Sequence, residues 1–217
     1  IKMAATASAN GVQSIIATPH YIEGLKYNNA LTNQIALEEL NKELMKRGIS
    51  IKILLGNEVF ITQNIFELIR TKEITTLNKS RYVLVELPRT YIPTFTKELI
   101  QDLRAKEIIP IIAHPERNLN IVEDVNILYY FIQYGALTQL NLSSIQGRYG
   151  NTVRDAARKL LGNNMIHFIS GDAHSSKGIM PSRIKISKII SNAISDNQLD
   201  KLLYENPLKV IDDEIIR

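Results

Sequence analysis

Ile111-Ile112-Ala113-His114-Pro115-Glu116-Arg117 is an apolar run that ends in a histidine and then turns through a proline into two opposite charges. The same form recurs in Ile15-Ile16-Ala17-Thr18-Pro19-His20, Ile53-Leu54-Leu55-Gly56-Asn57-Glu58 and Phe168-Ile169-Ser170-Gly171-Asp172-Ala173-His174. A strand buried on both faces has no solvent side to mark with polar residues, so it reads as a continuous run of Ile, Val and Leu. Each of these stretches therefore reads as a parallel strand. In parallel α/β folds the loops leaving the C-terminal ends of the strands gather on one rim. His20, Glu58, His114, Asp172 and His174 are accordingly expected to meet there as a polynuclear metal site.

Working outward, helix and strand alternate along the chain. An Ala-rich helix over 1–10 stops at Asn10-Gly11, and the first strand runs on to His20. A helix over 28–47 follows, with Leu31, Ile35, Leu40, Leu44 and Met45 on one expected stripe and Arg47-Gly48 at its end. Strands are expected at 51–55 and 82–87 around a helix near 63–71, then a helix over 92–106 that leads into the strand ending at His114. Pairs at 121–134 with 137–142 and at 151–162 with 165–170 continue the pattern, and helices near 181–194 and 196–203 close it. No repeat, low-complexity tract or linker divides the chain, so a single domain over 1–217 is expected. Six or so strands each followed by a helix argue for a (β/α) barrel or a distorted version of one. The chain opens with Ile1 inside a helix, and an upstream strand is expected before it.

Composition narrows the chemistry. With 217 residues, 45% of them hydrophobic and 22% charged, the chain can bury one substantial core. No apolar stretch approaches the length of a membrane span, and no charged-then-apolar leader is present, so membrane insertion and secretion are not expected. The chain has no cysteine, which removes thiolate ligands and thiol nucleophiles and suits a reducing cytoplasm, the expected location. A net charge of +4 is spread among acids with no basic run interleaved with aromatics, so nucleic acid is not an expected partner. Imidazole and carboxylate ligands suit Mn, Fe, Zn or Co. A pair of such ions can bind a phosphoryl oxygen and activate water, and the planar fork of Arg117 can pair two phosphoryl oxygens at once.

The motifs Thr18-Pro19-His20, Gly56-Asn57-Glu58, His114-Pro115-Glu116-Arg117-Asn118 and Gly171-Asp172-Ala173-His174, in that order, resemble those of the polymerase-and-histidinol-phosphatase (PHP) superfamily. Within it the chain is most similar to the bacterial capsule-type tyrosine phosphatases of CpsB/YwqE type. Ser143-Ser144-Ile145-Gln146-Gly147 and the ending Glu205-Asn206-Pro207-Leu208-Lys209-Val210 fit the same branch. The resemblance implies a distorted (β/α)7 TIM-like PHP barrel holding two or three divalent ions, Mn2+ before Fe, Zn, Co or Mg. It implies a metal-dependent protein-tyrosine phosphatase whose partner is the phosphorylated tail of a bacterial tyrosine kinase controlling capsule or exopolysaccharide synthesis. Carried over by motif, Glu58 bridges two metals, His114 and Asp172 complete them, and His20 with His174 hold a third. His114, Arg117 and Asp172 form the catalytic group, with Arg117 on the phosphate; Arg148 and Arg183 are weaker candidates for substrate contact.

Two departures bear on that implication. The superfamily's His-any-His pair on a first strand, with the acidic residue after it, is not in this sequence. Relatives commonly carry an Arg five residues after the last histidine, where Ile179 stands here between Lys177 and Arg183. Several residues also have a structural reading. His167 inside Met165-Ile166-His167-Phe168-Ile169 reads as a packed strand residue, Arg117 can pair with Glu116 or Glu123, and Arg148 can be a surface loop residue. Glu86, at the end of the strand from Tyr82, can support a metal ligand or be a plain strand-end charge. A small-molecule phosphomonoesterase, such as one acting on histidinol phosphate, and a non-catalytic metal-poor binding module are the alternative functions.

Overall fold

Alternation of side chains along short parallel strands organises the molecule, described here from a computed structural model covering residues 1–25, 29–178, 181–190 and 193–216. One sheet has six strands in the order β2 (His20–Tyr21), β4 (Glu58–Phe60), β5 (Tyr82–Glu86), β6 (Ile109–Ala113), β7 (Leu137–Asn141) and β8 (Phe168–Ser170). A second pairs β1 (Ser14–Ala17) with β3 (Lys52–Leu55). Every pairing between these strands is parallel. The α/β class read from the sequence therefore holds.

The expected strand ending at His20 is two strands, split at Thr18-Pro19, and its neighbour is split at Gly56-Asn57. Register is kept across both breaks: Ala17 lies opposite Leu55 and His20 opposite Glu58. Gly56 N–H donates to Ala17 O at 2.9 Å and Glu58 N–H to Pro19 O at 3.1 Å, so the ladder runs on through the bend. A Cβ on Gly56 would lie 2.6 Å from the Leu77 side chain, which is why the break needs glycine there.

The helices are α1 (Lys2–Ala9), α2 (Ala30–Lys46), α3 (Ile65–Arg70), α4 (Thr96–Ala105), α5 (Leu119–Glu123), α6 (Asn126–Gln133), α7 (Leu142–Ile145), α8 (Asn151–Gly162), α9 (Arg183–Ile190), α10 (Asp196–Asp200) and α11 (Asn206–Ile211). On the outer face of the sheet, Val59, Val83, Val85, Ile112, Leu140 and Ile169 pack against apolar residues of the helices. On the inner face, Tyr82, Leu84, Ile109, Ile111, Leu137 and Phe168 pack on one another, with Val210 of α11 in the same cluster and Ile16 of β1 against it. Both faces of β5 and β6 are covered, as their unbroken apolar runs require.

Three expectations need correction. The stripe on α2 is Leu37, Leu40 and Leu44, which pack near Ala4 and Ile53, whereas Leu31, Ile35 and Met45 are 68%, 52% and 82% exposed. The expected helix over 121–134 is two helices, because Asp124 leaves helical geometry at φ −133°, and its carboxylate accepts the N–H of Asn126, the first residue of α6. His167 lies one residue ahead of β8, not inside it. Ile179 lies outside the described residues, as does the side chain of Lys177. Among the described residues no helix is long and apolar enough to cross a membrane.

His167 accepts the N–H of Thr138 on Nδ1 at 3.2 Å, and burial pushes its pKa down to about 4 from an ordinary 6.5. Between those two values the unfolded chain takes up a proton that the folded chain refuses, so stability is lost as pH falls from about 6.5 to about 4. The loss is on the order of 3 kcal/mol at most. Urea unfolding followed over that range should show a shallower pH dependence in His167→Gln than in the unmodified protein.

Candidate metal centre

The inner face changes character towards the C-terminal ends of the strands. Beyond the apolar positions, the same alternation carries Glu86 of β5, Asn141 of β7 and Ser170 of β8 to the inside. Glu58 opens β4 level with Leu84, and His20 lies beside it in register on β2. Polar groups thus crown a largely apolar interior.

His114 Nε2 lies 3.0 Å from Glu58 Oε1 and 3.5 Å from Glu86 Oε1. His20 Nδ1 lies 3.9 Å from Glu58 Oε2 and 3.8 Å from Glu86 Oε2. Two histidines therefore share two carboxylates. Burial pushes the pKa of His114 down, but the hydrogen bond it donates to Glu58 and the charges of Glu58 and Glu116 outweigh burial and the opposing Arg117, leaving it above the ordinary value. A proton on His114 offsets charge that a cation would otherwise offset.

On the other side of the rim, Asp172 Oδ2 accepts from Asn141 Nδ2 at 2.8 Å and from Arg117 Nη1 at 3.3 Å. His174 Nδ1 lies 3.6 Å from Asp172 Oδ1, and its ring centre is 5.8 Å from that of His20, which joins the two halves. The guanidinium of Arg117 lies over the Tyr149 ring, 4.6 Å from its centre, on the loop between α7 and α8. Glu116 points away from the rim: it is fully buried, and burial raises its pKa while hydrogen bonds from Ser144 and Asn141 pull the other way.

Backbone geometry aims these groups. His114 leaves β6 at φ 32°, ψ 55° while its N–H still donates to Gln139 O at 2.7 Å, and Asp172 follows β8 at φ 45°. A left-handed conformation costs a non-glycine residue roughly 1 to 3 kcal/mol and persists where the surroundings impose it. Both residues are candidate ligands.

The donor set fits divalent ions. His20, Glu58 and Glu86 each offer one ligand atom, and these atoms lie within 4.8 Å of one another. The set is imidazole and carboxylate, which suits borderline and hard metals. All five ligands expected from the sequence come to this rim. Glu86, left there as a support or strand-end charge, contacts both His20 and His114 and belongs with them. Arg117 pairs with Asp172 in place of Glu116 or Glu123. Arg148 is exposed beside Tyr149, and the fork of Arg183 is taken by Asp200 at 2.6 Å and Asp196 at 3.4 Å. The side chains of His20 and His174 are 43% and 70% exposed, whereas those of Glu58, His114 and Asp172 are largely closed to solvent.

Residues 1–212 match the family model described as "Capsular polysaccharide synthesis, CpsB/CapC". The chain belongs to the CpsB/CapC family. It is 41% identical over 177 residues to CapC of Staphylococcus aureus, a match spanning 81% of this chain and 69% of that relative. It is 36% identical over 177 residues to the tyrosine-protein phosphatase YwqE of Bacillus subtilis, covering 82% and 70% of the two chains. A solved structure from the study of YwqE and of CpsB from Streptococcus pneumoniae, described as unique metal-dependent tyrosine phosphatases, superposes with a TM-score of 0.91 at 30% identity. That match covers 100% of this chain and 87% of the other.

Cation binding at this CpsB/CapC rim competes with a proton on His114, whose pKa its carboxylate neighbours raise, so affinity should rise with pH. Titration calorimetry with Mn2+ is expected to give weaker binding at about pH 6 than at about pH 8, and equal affinities would contradict the arrangement. Glu86→Ala should weaken binding at least as much as His174→Ala, because Glu86 faces two histidines while the His174 side chain is 70% exposed.

Proposed function

We propose that this CpsB/CapC protein hydrolyses phosphotyrosine on protein in a metal-dependent reaction. The observation that carries the reading is that Arg117 is held at the edge of an acid and imidazole cluster fit for divalent ions. Bound ions would supply Lewis acidity and an activated water. The chain's own residues supply the rest. Arg117 keeps part of its fork for phosphoryl oxygens, since one N–H goes to Asp172 and a face, not an edge, is covered by Tyr149. A tyrosyl leaving group has a pKa near 10, about the least demanding among biological phosphoesters, so no conspicuous general acid is required.

The finer parts of the reading rest on narrower support. A donor set without sulfur is compatible with manganese, the ion the family resemblance implies, and the number of candidate ligands with two or three ions. The phosphorylated tail of a bacterial tyrosine kinase is the partner that fits a capsule-synthesis family, and the cytoplasm, which a cysteine-free chain suits, is its setting. A distorted β/α barrel is supported by the inner cluster, in which Ile16 of β1 packs against a core that includes Phe168 of β8. A single catalytic domain is supported by one family match running over residues 1–212.

Steady-state kinetics test the proposal. A phosphotyrosyl peptide should be hydrolysed faster than histidinol phosphate, and chelation should abolish turnover. The reverse preference would point to a small-molecule phosphomonoesterase. Arg117→Lys should lower kcat/KM by about ten- to a hundredfold, because a point charge cannot reproduce two parallel hydrogen bonds. An unchanged value would remove Arg117 from the phosphate.

A further inference from the structure

Asn141, the last residue of β7, is closed to solvent and tied through each of three polar groups. Its backbone N–H donates to Glu116 Oε1 at 3.1 Å, its Nδ2 donates to Asp172 Oδ2 at 2.8 Å, and its Oδ1 accepts from Ser170 Oγ at 3.1 Å. Glu116 Oε1 also accepts from Ser144 Oγ at 2.7 Å, which fixes α7 to the turn that carries Arg117. Arg117 Nη1 in turn reaches the same Asp172 Oδ2. The contacts close a ring from Glu116 through Asn141 and Asp172 to Arg117, and back along the chain.

The ring treats the two carboxylate oxygens of Asp172 differently. Oδ2 takes two donors. Oδ1 faces only His174 among the contacts of the described residues, at 3.6 Å. An aspartate at the same place as Asn141 would turn an acceptor towards Oδ2 and repel it; the amide instead supplies an N–H, and Ser170 fixes which end of the amide points where.

We propose that Asn141 is a positioning residue for Asp172: it holds Oδ2, with Arg117, so that Oδ1 is presented to the cation, and Glu116 anchors it from below. The inference rests on reading Asp172 as a metal ligand. Hydrogen-bond partners that orient a ligating side chain typically change metal affinity by about ten- to a hundredfold when removed.

Mn2+ binding to the full chain would be measured by titration calorimetry for the unmodified protein, Asp172→Ala, Asn141→Leu and Ser170→Ala, with thermal unfolding of the metal-free proteins alongside. Asn141→Leu keeps the branching and heavy-atom count and removes the donor, and it should weaken Mn2+ binding about ten- to a hundredfold, with Ser170→Ala well short of that. Affinity unchanged in Asn141→Leu while Asp172→Ala binds weakly would overturn this inference alone. Affinity unchanged in both would overturn the ligand reading of Asp172 and this inference with it. A reading that needs no variant to fold comes from the side-chain amide resonances of Asn141 in 15N-labelled protein. They should shift as diamagnetic Zn2+ is added, and resonances that stay still while Zn2+ binds would also overturn the proposal.

Discussion

The hydrogen bond between His114 and Glu58 is the contact on which the rim depends. It is 3.0 Å long, both residues are buried, and it ties the end of β6 to the start of β4 across β5. A carboxylate placed there without a positive partner would cost about 3 to 5 kcal/mol, the usual penalty for breaking a buried pair. The protein must therefore keep a positive charge at that point, whether a proton or a cation. Glu86 adds a second carboxylate to the same histidine and so strengthens the demand. The left-handed backbone at His114 is sustained by the same contact together with the bond from its N–H to Gln139.

The two halves of the rim divide the electrostatic work. His20, Glu58, Glu86 and His114 carry an excess of negative charge that a proton on His114 offsets in part and bound cations offset further. Asp172 is held by an arginine and an amide, so the opposite half faces the site with positive and neutral donors. A phosphoryl group carries charge that the first half repels and the second attracts, and cations on the first half reverse the repulsion. Both halves are needed in one place, which is what the parallel sheet provides by directing all of its C-terminal ends to one rim.

Much of the rim was legible because an imidazole or carboxylate at the end of an apolar run is a conspicuous pattern, and the candidate ligands His20, Glu58, His114, Asp172 and His174 all carry it. Tyr82-Val83-Leu84-Val85-Glu86 has the same form. Glu86 reads equally as a support or a plain strand-end charge, because it ends an unbroken apolar run, whereas Gly56-Asn57 breaks the run just before Glu58. Asn141 was hidden for a different reason: an amide at a strand end reads as a helix cap, and its bond to Asp172 depends on the register of β7 against β8. The misread stripe on α2 arose because apolar residues recur on more than one face of that helix, and packing against β3 selects Leu37, Leu40 and Leu44. No sequence signal marks Tyr149 as the partner of Arg117, because the contact is set by the path of a loop.

Openness of the rim bears on which phosphate ester it suits. Small ligands are normally enclosed by about 70 to 90% of their surface, which needs a deep pocket. Here the side chains of His20 and His174 are 43% and 70% exposed, so this edge of the rim is open to solvent. A free metabolite would leave much of its surface in water. A tyrosyl phosphate carried on a polypeptide needs only its end group to enter, and the remaining recognition can be spread over the surrounding surface. Arg117 fits that geometry, since Tyr149 restrains its plane and Asp172 one of its edges, so the remaining N–H groups meet the phosphate with little ordering left to do.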